Sequence, residues 1–457
     1  MSFVGAWGGT SAGAFDEPYR RLLEAHRDGT LERGVPLRDV EVARTIGVPR
    51  LLVRGGLARL ADAGLATMDD QGTVVLHVTG FASWHAAQVW WLAVFELTAR
   101  TAVPVLTDED VEAFETLVTA TARQGALRSD TFAPLFTDCL RFLVDRSPNA
   151  LARREAGFVL DELLSAQESV PAWAVWDSDA FLLVAARAAR SRDPELMVDA
   201  VHAYADLATG PHLDSVRAAF GLPSEPAPAW ERVDPEDLEP PWRRDPAWRT
   251  VLGAVRSGVL PRGTEHTVGQ LAQRFGMDLP VLMPQLRRLQ QIGLAEPTAD
   301  GAVRLTDPTL ADWRDAGQLL DAASERCTAL VVPLLTPADR RALADLVELL
   351  RYQSTVHDQA FTASVLQTAR FFAERCGSPR LRNATRIALA RVAYVVDHPP
   401  DFEQWFIEDY LAPLEQAAAD ADPMLATEAS HALRRHADRQ FATAMRNDAA
   451  RYGTMDA

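Results

Sequence analysis

The chain has 457 residues, a net charge of −17 and no lysine, so all 46 of its basic side chains are arginines. That length is too great for one core and predicts two or more domains, and the acidic balance means that any contact with nucleic acid has to come from a local cationic patch. Three cysteines (Cys139, Cys327, Cys376) with no CxxC pair suit a reducing cytoplasm. The first fifteen residues lack the charged-then-apolar layout of a signal peptide, and VWWLAVF (Val89–Phe95) is too short to span a bilayer, so no membrane association is expected.

In chain order, residues 16–79 read as three helices followed by a short hairpin. A short helix around Ala43–Ile46 stops at Gly47, and Pro49 suits the start of the next helix, where its missing N–H costs nothing. Leu52, Val53, Leu57 and Leu60 then recur at helical spacing, with Gly64 as a C-terminal stop. Thr67–Val78 reads strand, turn, strand, with Gly72 in the turn. That order is a winged helix-turn-helix. Residues 80–221 show amphipathic segments without strand alternation, which predicts an all-α bundle of roughly six helices. Residues 222–246 are rich in proline and charge and read as an extended linker.

Beyond the linker the same text begins again. The shift that carries Gly47 onto Gly276 lays the second half on the first without a gap. Gly64-Leu65-Ala66 falls on Gly293-Leu294-Ala295, Ala102–Thr107 on Val331–Thr336, Arg141-Phe142 on Arg370-Phe371, and His202 on His431. The repeat predicts a tandem duplication, with a degenerate winged helix-turn-helix over 247–308 and a second helical bundle over 309–450. Its period is too long for a solenoid. The predicted fold is therefore mainly α, in two repeats.

The stretch GVPRLLVRGGLARLADAGL (Gly47–Leu65) resembles the reading helix of the GntR family of bacterial transcription regulators, specifically the FadR-like subgroup with a helical FCD effector domain. CLRFLVDRSPN (Cys139–Asn149) is similar to a stretch of that effector domain. The resemblance implies double-stranded DNA as partner, with Arg50 and Arg54 as the contacting pair; Arg38 and the wing-turn Gly72 are added as candidate contacts. Four residues apart, the two arginines share one helical face that can meet phosphates or guanine edges in a major groove. Three features depart from the pattern: a Gly55-Gly56 pair inside the helix, Asp69 and Asp70 at the wing tip, and a nearly neutral domain with nine arginines against eight acids over 20–79. In the second copy Leu279 and Met283 replace the arginines, and Pro284 falls inside the helix, where it is expected to break or kink it. That copy is expected to read no DNA.

FCD domains generally hold a divalent metal through an Asp and three His, and the resemblance places those positions at Phe136, Leu140, Leu182 and Tyr204, and again at Val365, Ala369, Leu411 and Leu433. None of these side chains is a normal metal ligand, so no metal and no cofactor are expected. His202 and His431 are expected as capped or half-buried bundle histidines. The aromatic content (Trp84, Trp90, Trp91, Phe95, Phe136, Phe142, Trp173, Trp176) reads either as core packing or as a dry pocket for a small hydrophobic effector. Trp91, Phe95, Phe136, Leu140, Leu182 and Tyr204 are its candidate lining. No P-loop, GxGxxG, HExxH or GxSxG is present, so an enzyme is not expected. Two functions follow: a regulator in which one chain forms an intrachain pseudo-dimer with a single competent head, open to further homodimerisation, or a ligand- or partner-binding descendant that has lost DNA.

Overall fold

The computed structural model describes residues 16–62, 65–69, 73–77, 81–167, 178–219, 221, 232–233, 245–298, 302–306, 309–358, 360–396 and 407–452. Gly72, Asp70, Trp173 and Trp176 lie outside the described residues, as does most of the predicted linker.

The first half opens with α1 (Asp16–Arg27), β1 (Pro36–Arg38), α2 (Asp39–Ile46), α3 (Arg50–Asp62), β2 (Ala66–Met68) and β3 (Thr73–Leu76). This is a winged helix-turn-helix. Its three-stranded antiparallel sheet has the order β1-β3-β2, with Leu37 opposite Val74 and Thr67 opposite Val75. Sequence reasoning found the hairpin and missed β1, whose three residues are too few to show alternation. Gly47 takes φ 68° between α2 and α3, a left-handed conformation that glycine adopts without strain. Leu22, Val53, Leu57, Leu60 and Val74 close a small separate core.

Among the described residues seven α-helices follow: α4 (Phe81–Ala102), α5 (Asp108–Ala126), α6 (Phe132–Arg146), α7 (Ala150–Gln167), α8 (Asp179–Ser191), α9 (Pro194–Thr209) and α10 (Pro211–Ala219). The second half repeats the order as α11 (Pro246–Arg256), β4 (Glu265–Thr267), α12 (Val268–Phe275), α13 (Leu279–Gln291), β5 (Ala295–Pro297), β6 (Ala302–Leu305), α14 (Leu310–Val331), α15 (Pro337–Val356), α16 (Phe361–Arg375), α17 (Pro379–Val396), α18 (Glu408–Asp420) and α19 (Pro423–Tyr452). From β1 to α9, the shift that carries Gly47 onto Gly276 also carries the first residue of every strand and α-helix onto the first residue of its counterpart. The sheet order recurs as β4-β6-β5, and Gly276 repeats the positive φ of Gly47. The halves differ at their ends. Gly210-Pro211 separates α9 from α10, whereas Arg439-Gln440 at the matching place lets α19 run on unbroken.

The two bundles share one continuous apolar core. Helix α4 packs on α14 and on α17, while α14 packs on α7. Exchanging the halves turns the α4–α17 contact into the α14–α7 contact, which is the reciprocity of a two-fold interface. Polar links cross the same junction without that symmetry. The Asn149 side-chain amide donates to the Asp315 carbonyl (3.1 Å), and the Ala150 N–H donates to the Asp315 carboxylate (2.9 Å), capping α7 from the other half. Glu162 pairs with Arg380, and burial pushes its carboxyl up to about 7.

Pro284 corrects a sequence-level expectation: α13 runs through it unbroken. The proline stands in the second turn, and the carbonyl left without a donor belongs to Pro280, an exposed residue where water can satisfy it. Where the linker is described, it docks instead of running free. Arg232 donates to both oxygens of Asp339 (2.6 and 3.0 Å), and the Val233 N–H donates to the Arg375 carbonyl (3.3 Å).

Candidate functional site

The first winged domain presents α3 from the far side of the Gly47 turn. Arg50 opens this helix and Arg54 lies one turn on, with side chains 58% and 48% exposed, so neither guanidinium is tucked into protein. Both meet the carboxylate of Asp39, one on each oxygen, at 3.0 and 2.9 Å. Asp39 is buried at the first position of α2, where the helix dipole favours an acid. One carboxylate thus sets two cations side by side and leaves the cluster with a net positive charge. Arg38 is exposed just ahead of α2, its N–H bonded to Glu41 Oε2 (3.1 Å). Sequence reasoning picked the arginines and missed Asp39, although an Asp eleven residues before Arg50 is a readable signal once the helix-turn-helix is placed.

The glycine pair inside α3 has two distinct explanations. A Cβ on Gly56 would lie 2.5 Å from Leu22 Cδ1, so that side chain would have to shift, while the α1 backbone at Tyr19 stays at 3.5 Å, an ordinary contact distance. Around Gly55 there is open space. In the second half Gln285 takes the Gly56 position, buried and donating to Asp245 Oδ2 (2.9 Å). Helix α13 exposes Leu279 and Met283 where α3 has Arg50 and Arg54, with Val281 exposed between them. Its shape survives without its charge.

The bundle interiors diverge more sharply. In the first, Trp91, Phe95, Phe136, Leu140, Leu182 and Tyr204 are all buried and come together as the sequence reading grouped them. Their rings occupy the space themselves: Trp91 stacks on Phe95 (4.8 Å between centroids), Phe181 meets Phe136 and Tyr204 at 5.8 and 5.5 Å, and the Trp91 indole N–H donates to the Tyr204 hydroxyl (3.1 Å). Burial pushes that phenol up to about 12.

Under the shift that relates the halves, five of those six positions become Leu320, Ser324, Val365, Ala369 and Leu433, and all five line a cavity of ≈ 130 Å³ in the second bundle. Trp to Leu, Phe to Ser, Phe to Val, Leu to Ala and Tyr to Leu all remove volume at one place, and the hollow is what remains. Trp313, Phe361 and Phe441 supply aromatic walls; Asp321, Asp438 and Arg314 supply charge, and His436 adds a polar ring. Asp321 replaces Leu92, an apolar core residue of the first half. Burial first, then the neighbouring Asp438 charge, push its carboxyl up to about 7, against the pull of Arg434 and Arg100. Among the described residues no three His, Cys, Asp or Glu side chains converge as a metal site. His202 and His431 sit in matching pairs with Glu96 (3.5 Å) and Glu325 (3.2 Å). No described helix is long and apolar enough to cross a membrane.

No family model matches the chain, and no curated protein matches it. Solved structures similar to it include E. coli McbR/YncC, at 17% identity and TM-score 0.32, covering 44% of this chain and 96% of that one. Streptococcus agalactiae GntR is similar at 15% identity and TM-score 0.24, covering 42% and 98%. A GntR-family transcriptional regulator from Pseudomonas syringae is similar at 18% identity and TM-score 0.26, covering 44% and 84%.

Proposed function

We propose that the chain is a DNA-binding transcription regulator of the GntR type, working in the cytoplasm and not as an enzyme. In this reading an ancestral two-domain unit was duplicated in tandem, the two FCD-like bundles imitate a homodimer within one chain, and the work is divided between the halves. The first half grips the duplex; the second holds the effector. The observation that carries the reading is the Arg50–Arg54 pair, about half exposed on the leading turn of α3 in a winged helix-turn-helix and oriented by Asp39. Leu279 and Met283 at the matching places offer nothing to a phosphate, so one chain reads one half-site. An operator of two half-sites then takes two chains. The effector site is the second-bundle cavity, while the aromatic cluster around Trp91, Phe95 and Tyr204 serves as packing.

The test is a gel shift on the DNA upstream of the chain's own gene. Wild type retards it at low salt, and Arg50→Ala/Arg54→Ala does not; equal mobility of the two mixtures overturns the reading.

A second reading is a ligand-binding descendant that no longer binds DNA. It is favoured by Asp39, which partly neutralises both arginines, and by the overall charge of −17. Stabilisation of the fold by a cavity ligand, with none by duplex DNA, supports it.

A further inference from the structure

We propose that the second-bundle cavity binds a small organic cation, an amine on a single ring or short hydrocarbon body, with Asp321 as the anchor inside and Asp438 at the rim. This rests on the cavity being a ligand site and names what that site selects.

Size sets the first limit. A hollow of ≈ 130 Å³ is close to the roughly 150 Å³ apolar cavity that accepts benzene, so a body of six to eight carbons fits. The walls set the second. Trp313, Phe361, Phe441, Val365, Leu366 and Leu320 form apolar and aromatic surface that takes a ring or chain and offers π faces to a cation.

The charge balance sets the third. The arginines near the space already have acids: Arg314 lies 3.3 Å from Asp315 and Arg434 3.8 Å from Glu325, and the His436 ring bonds to Asp409 at 2.5 Å. Arg100, from the first half, adds a more distant positive charge. Asp321 and Asp438, in contrast, have neither ion pair nor hydrogen bond among the described residues, and the Asp438 charge disfavours the ionised form of Asp321. A half-buried carboxylate facing a like charge at a largely apolar lining is costly until a cation joins it. An ammonium between them supplies that partner. The Ser324 hydroxyl is also buried on the lining without a hydrogen-bond partner in the described structure, and it offers an oxygen to an N–H. Neither polar group has a counterpart in the first half, where Leu92 and Phe95 stand.

The test compares benzylamine, benzyl alcohol and benzoate by titration calorimetry on the full chain at pH 7.5. Benzylamine is expected to bind at least tenfold tighter than the other two. Asp321→Asn is expected to bring the amine down to the alcohol while leaving alcohol binding intact, and Asp438→Asn, on an exposed residue, to weaken the amine alone by a smaller factor. Equal or tighter binding of benzoate or benzyl alcohol by wild type overturns the choice of a cation and leaves the cavity standing. No binding of any of the three, with a thermal midpoint that Ala369→Leu does not move, overturns the cavity as well.

Discussion

Phe95 and Ser324 occupy the same place in two bundles, one in each half of the repeat, and the exchange of a ring for a hydroxymethyl group helps separate a filled interior from a hollow one. The ring of Phe95 stacks on Trp91 and meets Tyr204; the Ser324 side chain borders empty space beside Leu320 and Asp321. The two halves keep one order of elements although their interiors differ, because the order is specified by many apolar positions and the hollow by few.

The difference between the interiors is testable by exchanging residues. Phe136→Val, which gives the first bundle the residue of the second, is expected to destabilise it by about 3 kcal/mol, since ring contacts are lost and the site relaxes only in part. Val365→Phe is expected to leave the chain folded and to remove benzyl alcohol binding. Denaturant melts and calorimetry read the two effects; unaltered ligand binding by Val365→Phe places the ligand elsewhere.

Adjacent glycines of α3 are expected to respond with opposite signs. Gly55→Ala, into open space in a helix interior, should stabilise by about 1 kcal/mol. Gly56→Ala should destabilise by about 1 kcal/mol, because the new Cβ meets Cδ1 of the buried Leu22 and that side chain has to shift within a packed core. Thermal midpoints of the two variants settle the sign of each.

Pro284 stands at the Gly55 position of the second copy. Pro284→Ala restores an N–H toward the Pro280 carbonyl and should stabilise the second winged domain by up to about 3 kcal/mol. A thermal midpoint unchanged by the substitution would mean that α13 gains nothing from the recovered bond.

Acid should detach the linker contact. Arg232, Thr336 and Arg375 hold the Asp339 carboxyl well below the usual carboxylate range, against the opposing effect of burial. A depressed acid contributes stability that is present above its unfolded value near 4 and is lost as pH falls through the folded value. Asp339→Asn removes that contribution, should cost about 3 kcal/mol near neutrality, and should flatten the acid limb of the stability curve. An identical acid limb in wild type and variant contradicts the assignment.

The repeat, the winged helix-turn-helix, the bundles and the Arg50–Arg54 pair were legible because each rests on spacing: helical periodicity, a glycine at each turn, and one constant shift between the halves. Of the six positions named as a pocket lining in the first half, five have counterparts that line the cavity of the second, while the named side chains themselves fill their space. A sequence shows that Phe136 and Val365 are both apolar; which of them leaves a hollow depends on the combined volume of side chains contributed by several helices. Asp39 was missed because its two partners lie across a turn. Asp321 was missed because an isolated acid on an amphipathic helix reads as a solvated face until the neighbouring helices enclose it. Strand β1 was missed because so short a strand carries no period, and Pro284 was read too strongly because the exposure of the Pro280 carbonyl belongs to tertiary structure.

The most direct measurement of the division between halves is the salt dependence of binding to a labelled duplex from upstream of the gene. Three proteins suffice: wild type, Arg50→Ala/Arg54→Ala and Leu279→Ala/Met283→Ala. The prediction is an affinity for wild type that falls with rising salt, a loss of at least tenfold with a slope lower by about 2 for the arginine variant, and no change for the second-half variant. Equal affinity and slope for wild type and the arginine variant, or weakened binding when Leu279 and Met283 are removed, would contradict it.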